Sequence, residues 1–132
     1  MIRTDRVLVM DIDGTLAAHR QPGQGYADVG VVPAVVHRMR ELKAAGWWIV
    51  LNTSRNMQTH GGNLGLILKH TAPVLLDWLA RHDVPYDEIH FGKPWCGNRG
   101  FYVDDRAIRP REFATLAPDE IDALIRQDSL AR

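Results

Sequence analysis

The chain has 132 residues, with hydrophobic residues at 45% and charged residues at 24%, the balance of an ordinary globular protein able to bury a core without staples. Sixteen Lys and Arg offset sixteen Asp and Glu, so the net charge is zero, which argues against a general nucleic-acid binder or a polybasic membrane binder. The single cysteine, Cys96, excludes an intramolecular disulfide and a cysteine-based zinc site. The opening residues lack the apolar region of a signal peptide, and no run is long enough to span a bilayer. A single cytoplasmic domain over residues 1–132 is expected.

Arg6 to Asp11 reads as a first strand buried on both faces, because Val7-Leu8-Val9-Met10 is an unbroken apolar run. It ends in two carboxylates, Asp11 and Asp13, followed by Gly14. Residues 12–31 are rich in glycine and read as a loop excursion. Pro33 suits the first turn of a helix whose apolar face carries Val35, Val36, Met39, Leu42 and Ala45, with Gly46 as its stop. Trp47 to Asn52 is a second strand, ending at Thr53-Ser54-Arg55. Strand, helix and strand make a βαβ unit with parallel pairing.

Residues 56–70 read as a long polar loop with a helical turn near Leu64–Leu68, and a loop of this length is commonly functional. His60 and His70 flank it and read as exposed. Pro73 to His82 is a second helix that buries Val74, Leu75, Trp78 and Leu79. Glu88 to Phe91 is a third strand, followed by Lys93, and Phe101-Tyr102-Val103 is a fourth, followed by Asp104-Asp105. Helical segments over Pro110–Leu116 and Pro118–Ile125 finish the chain. Trp47, Trp48 and Trp78 read as packing residues, Trp95 as a residue that either packs or lines a site mouth, and Cys96 as inert.

Each strand is thus followed by an unusual polar group. If the strands are parallel, all four groups gather at one edge of the sheet, where open α/β folds bind ligands. Two acids one residue apart repel each other unless a cation or a proton lies between them. Phosphoryl transfer would use such a set. Asp11 can attack phosphorus as a carboxylate nucleophile, and Asp13 can act as general acid and then base. Thr53 can donate its hydroxyl to a phosphoryl oxygen, and Lys93 can neutralise charge there. Magnesium suits oxygen ligands, which Asp11, Asp13 through its main-chain carbonyl, and one or both of Asp104 and Asp105 would supply. Ser54, Arg55 and Asn56 are candidate substrate contacts. Arg55 is either such a ligand or the buried partner of Asp104 or Asp105.

Asp11-Ile12-Asp13-Gly14-Thr15-Leu16, Thr53, Lys93 and Asp104-Asp105, in that order, resemble the four motifs of the haloacid dehalogenase superfamily. The resemblance covers nearly the whole chain. It implies a Rossmann-like three-layer α/β fold with a mainly parallel sheet, a Mg²⁺ cofactor and an aspartyl-phosphate intermediate. The second acid, Asp13, resembles the phosphatase branch in particular. Thr53 to Met57, Gly62 to Gly65, Pro85 to Ile89, Gly92 to Trp95 and Tyr102 to Pro110 are similar to small phosphatases of bacterial capsule and polysaccharide biosynthesis. Ser54 departs from that pattern, which has alanine there.

The implied substrate is a phosphorylated sugar or related small metabolite. The short excursion after Leu16 and the lack of a large insertion after Phe91 resemble the capless class, whose members act on large exposed substrates or borrow a neighbouring subunit to cover the site. Two rival readings stand beside it: a phosphatase for nucleic-acid 3′-phosphates or phosphoproteins, and a non-catalytic binding domain on the same fold.

Overall fold

A computed structural model of the protein describes residues 5–128. The chain groups into two compact units, one running to Trp95 and the other starting at Cys96. The first unit is an α/β fold built on three parallel strands, β1 (Val7–Met10), β2 (Trp48–Thr53) and β3 (Glu88–Phe91), in the order β1-β2-β3. Helix α1 (Pro33–Ala44) connects β1 to β2, while α2 (Leu64–His70) and α3 (Ala72–Arg81) connect β2 to β3. These are the βαβ units that the alternation of apolar patterns predicts.

The central strand sets the frame. Val7 to Met10 pair in register with Trp48 to Leu51, and Val50 to Thr53 pair with Glu88 to Phe91. Ile49, Val50 and Leu51 are buried, as the continuous apolar run requires of a strand covered on both faces. Val35, Val36 and Met39 from α1, Ile67 from α2, and Leu75, Trp78 and Leu79 from α3 complete the core. Helix α1 begins at Pro33, and Gly46 follows its end with φ +95°, a left-handed geometry that glycine takes without steric cost.

Three expectations need correction. The first strand is not buried on both faces: Met10 is buried, but Val9 is 62% exposed. Among the described residues β1 has a partner on one side only, and an edge strand is covered less than a central one. In α3 the buried residues are Ala72, Leu75, Trp78 and Leu79, while Val74 stands exposed. Leu75, Trp78 and Leu79 follow the i, i+3, i+4 face of a helix, and Val74 falls beside that stripe.

The third correction concerns Phe101-Tyr102-Val103, which forms no strand in the second unit; Phe101 is 80% and Val103 88% exposed. Strand propensity describes fitness for a half-buried pleated surface, and without a ladder partner these β-favouring residues have no such surface. The second unit's helices are α4 (Pro110–Thr115) and α5 (Pro118–Gln127). Each starts at a proline, and each has its entry N–H bonded to a glutamate three residues on. The Arg109 N–H donates to Glu112 and the Ala117 N–H to Glu120, both at 2.8 Å. In each case the glutamate satisfies a backbone donor at the helix entry that has no intrahelical partner.

The excursion at 12–31 is less of a loop than its glycines suggest. The carbonyl of Ile12 accepts from the N–H groups of Thr15, Leu16 and Ala17. Residues 16–18 then run beside 30–32, with Ala18 N–H on Gly30 O at 2.9 Å and Val32 N–H on Leu16 O at 2.8 Å. A short 3-10 turn at Tyr26–Asp28 is tied to α3. The indole N–H of buried Trp78 donates to Val29 O at 2.9 Å, and Arg81 donates to Ala27 O at 3.1 Å. Packing against α3 therefore turns a polar, glycine-rich segment into a fixed wall.

Candidate active site

Parallel register brings the ends of the three strands together, and with them most of the singled-out polar residues. Asp11 directly follows β1. Its Oδ2 accepts from the Thr15 hydroxyl at 3.0 Å, and its Oδ1 lies 3.5 Å from Nζ of Lys93. Lys93 reaches this position because Gly92, with φ +86°, turns the chain after β3 and the Lys93 N–H donates to the carbonyl of Thr53 at 3.1 Å. One hydrogen bond thus locks the end of β3 to the end of β2, and one ion pair spans to β1.

Thr53 closes β2 and is 1% exposed. Its hydroxyl oxygen accepts from the Arg55 N–H at 3.0 Å, so the hydroxyl proton is left as its donor. Gly14 takes φ +79°, and a Cβ there would come 2.5 Å from Cε1 of His19. The turn that follows the two acids therefore favours glycine both for its dihedral and for its space.

Asp13 and Arg55 form a tight pair. Nε of Arg55 donates to Oδ2 of Asp13 at 3.1 Å and Nη2 donates to Oδ1 at 2.8 Å, the two-pronged geometry that makes Arg–carboxylate pairs directional. The Arg55 side chain is 1% exposed and that of Asp13 is 30% exposed. The guanidinium also lies over the ring of Tyr26 at 4.3 Å, and Arg20 lies over the same ring at 4.4 Å. Arg55 is thus held in a buried ion pair, with Asp13 as its partner. The Nη1 atom of Arg55 is buried without a hydrogen-bond partner among the described residues.

Ser54 accepts from the Met57 N–H through its carbonyl at 3.0 Å. Asn56 takes φ 60°, and its side-chain oxygen accepts from the Thr71 hydroxyl at 2.8 Å. Thr71 sits at the junction of α2 and α3 and is buried, so the turn after β2 is fastened to the helical layer. The His60 and His70 rings stack at 5.7 Å, His60 half-buried and His70 exposed.

Sequence reasoning missed Tyr26. The available signal was its position as the one aromatic residue within a glycine-rich excursion, and nothing local connects it to Arg55. Together with Arg55, Asn56, Thr71 and Val74 it lines a cavity of about 280 Å³.

Asp104 and Asp105 lie in the second unit. Both are exposed, and the Asp104 carboxylate caps its own turn by accepting from the Arg106 N–H at 2.8 Å. Among the described residues no group of three or more His, Cys, Asp or Glu side chains is arranged to hold a metal. The donors at the end of β1 still suit a hard cation in kind. Asp11 presents carboxylate oxygens, and the pairing of Asp13 with Ala17 uses the carbonyl of Ile12 and the N–H of Gly14 rather than the carbonyl of Asp13. Each Asp13 side-chain oxygen accepts one bond from Arg55, and its main-chain carbonyl is the expected ligand for such an ion. No helix among the described residues is long and apolar enough to cross a membrane.

No family model and no curated protein matches the chain. A crystal structure of a structural-genomics target from Vibrio cholerae is similar to it, with a TM-score of 0.90 and 45% identity over 94% of this chain and 99% of that one. At that identity and coverage, the chain belongs to the same family as the Vibrio cholerae protein.

Proposed function

We propose that the protein is a phosphomonoesterase of the haloacid dehalogenase type, acting on a small phosphorylated metabolite such as a sugar phosphate. The observation that carries the reading is the meeting of Asp11, Asp13, Thr53, Arg55 and Lys93 at the carboxyl ends of three parallel strands. Asp11 attacks phosphorus through a carboxylate oxygen, and the bond from phosphorus to the leaving oxygen breaks as the aspartyl phosphate forms. Asp13 delivers a proton to the leaving oxygen, then takes one from the water that releases phosphate from Asp11. Arg55 fixes the orientation of Asp13 for both transfers. Lys93 and the Thr53 hydroxyl meet the charge on the phosphoryl oxygens.

Asp11 and the main-chain carbonyl of Asp13 would hold Mg²⁺. Bound there, the ion would neutralise charge between carboxylate and phosphate. The test is hydrolysis of acetyl phosphate and of a panel of sugar phosphates by the wild type, by Asp11→Asn, and by wild type in EDTA. Turnover that Asp11→Asn and EDTA both abolish supports the reading; full activity in either condition refutes it.

A further inference from the structure

Asp11 faces Lys93 at 3.5 Å and Asp13 faces Arg55 at 2.8 Å, so each acid of the site already has a cation. A further cation stands beside them with no acid of its own among the described residues. The guanidinium of Arg20, an exposed residue of the excursion, lies 4.4 Å from the ring centroid of Tyr26, and that of Arg55 lies 4.3 Å from the same centroid. We propose that Arg20 is a specificity-determining residue, and that it binds a second anionic group, a carboxylate or a further phosphate, on the leaving group of the substrate. The proposal rests on the phosphatase reading and adds to it the charge of the substrate's leaving group.

Three observations lead there. The first is the missing partner. Among the described arginines of the first unit, Arg6, Arg38, Arg55 and Arg81 each have a carboxylate within 4.0 Å, and Arg40 donates to two carbonyls. Arg20 has only the face of Tyr26, and Asp28, two residues beyond that ring, makes no ion pair with it. The second is charge. Two guanidinium groups share one ring and Asp13 neutralises only that of Arg55, so Arg20 adds positive potential beside the site. Like charges held together without an acid between them favour an anion, and the guanidinium fork matches the oxygens of carboxylate and phosphate. The third is placement. The ring of His19 lies against Gly14, where a Cβ would come 2.5 Å from its Cε1, and Gly14 directly follows Asp13. Arg20 is the next residue and meets, through Tyr26, the arginine that holds Asp13. Residues 19 and 20 therefore border Asp13 on two sides, through its chain neighbour and through its ion-pair partner.

The stretch that carries Arg20 is fixed before any ligand arrives. The Gln21 side chain donates to the His19 carbonyl at 3.4 Å, the Gln21 N–H donates to the Gln24 side chain at 3.0 Å, and Gln24 donates to the Asp28 carbonyl at 3.0 Å. The Tyr26 ring steadies the guanidinium itself, and a guanidinium over an aromatic face keeps its N–H edge free for an oxygen anion. A charge held in place loses less freedom on binding than a loose one. An uncharged leaving group would leave Arg20 unused, whereas one that ends in carboxylate or phosphate meets it with the opposite charge.

The experiment compares glucitol 6-phosphate, 6-phosphogluconate and glucitol 1,6-bisphosphate, which differ only at C1, at low ionic strength so that an exposed charge is not screened. The first readout is kcat/KM of the wild type. A preference of tenfold or more for an anionic compound over glucitol 6-phosphate is expected, and the compound preferred tells carboxylate from phosphate; equal values for all three overturn the proposal. In Arg20→Met, which keeps an apolar stem on Tyr26, the preference should fall tenfold, through KM, and Arg20→Lys should restore most of it. A general loss of structure lowers turnover of all three alike and leaves the ratio unchanged, and an unchanged ratio overturns the proposal. The second readout is calorimetric binding of the same compounds to the Asp11→Asn protein, with and without Arg20→Met. Tighter binding of an anionic compound that Arg20→Met erases supports the proposal, and equal binding of all three, or binding of none, overturns it. If the wild type hydrolyses none of them, the phosphatase reading fails while the binding measurement still decides the role of Arg20.

Discussion

Replacing Arg55 by methionine removes the most heavily buried charge near the candidate site while keeping a long apolar stem. Two charge-assisted hydrogen bonds to Asp13 disappear, at 2.8 and 3.1 Å, along with the stacking of the guanidinium on Tyr26 at 4.3 Å. Breaking a buried ion pair from one side costs about 3–5 kcal/mol because the other charge stays behind. Here that charge has partial access to water, since the Asp13 side chain is 30% exposed, which places the loss toward the lower end. The stacking adds ~0.5–2 kcal/mol. Against this, the substitution removes the unpartnered Nη1, whose burial costs about 1–3 kcal/mol.

The expected net destabilisation is roughly 1–4 kcal/mol, or a fall in Tm on the order of 10 °C for a chain of this length. Urea unfolding with matched slopes measures it, and the Arg55→Met, Asp13→Asn double-mutant cycle isolates the pair, with a coupling of roughly 1–3 kcal/mol expected for groups in contact. A loss below about 0.5 kcal/mol, the range of surface changes, would show that the pair does not hold the turn after β2 to the turn after β1.

The remaining predictions are shorter. The carboxyl of Glu88 is held below the usual glutamate range, chiefly because the Trp48 indole N–H donates to it at 2.5 Å. A depressed folded pKa means stability that is full above the unfolded value of 4.5 and is lost as pH falls through the folded pKa. Trp48→Phe should therefore move the Glu88 titration upward in NMR and flatten the acid limb of stability; an unmoved titration would refute the assignment. Val9→Thr should change stability by no more than ~0.5 kcal/mol, whereas Leu51→Ala on the central strand should cost about 2–5 kcal/mol. Equal costs would contradict the exposure of the β1 edge. Gly14→Ala should destabilise by roughly 1–2 kcal/mol through its left-handed dihedral, read from the urea midpoint, and a stabilising effect would refute the backbone argument.

The amino-acid sequence by itself determined the order of the three strands and of helices α1 and α3 in the first unit, while α2 read only as a turn within a loop. Uninterrupted apolar runs of four to six residues at β1 and β2, prolines at helix starts and Gly46 at a helix end are local signals, and they act through sterics and backbone hydrogen bonding within a few residues. They also placed Asp11, Asp13, Thr53 and Lys93 at strand ends, because a polar group directly after a buried run must emerge at an edge of the sheet. The same logic overreached at Phe101-Tyr102-Val103, where strand-like composition had no ladder to join.

Only the tertiary structure decided the pairings that span long stretches of chain. Asp13 meets Arg55 across forty-two residues, and Lys93 meets Asp11 across eighty-two. No spacing rule encodes such distances; they arise from the register of β1 on β2 and of β2 on β3. Tyr26 was illegible for a related reason. It reaches Arg55 only because Trp78 and Arg81, on a helix some fifty residues later, bind the carbonyls of Val29 and Ala27. A side chain's identity is written locally, but its neighbour depends on how separately formed elements bury their apolar faces together.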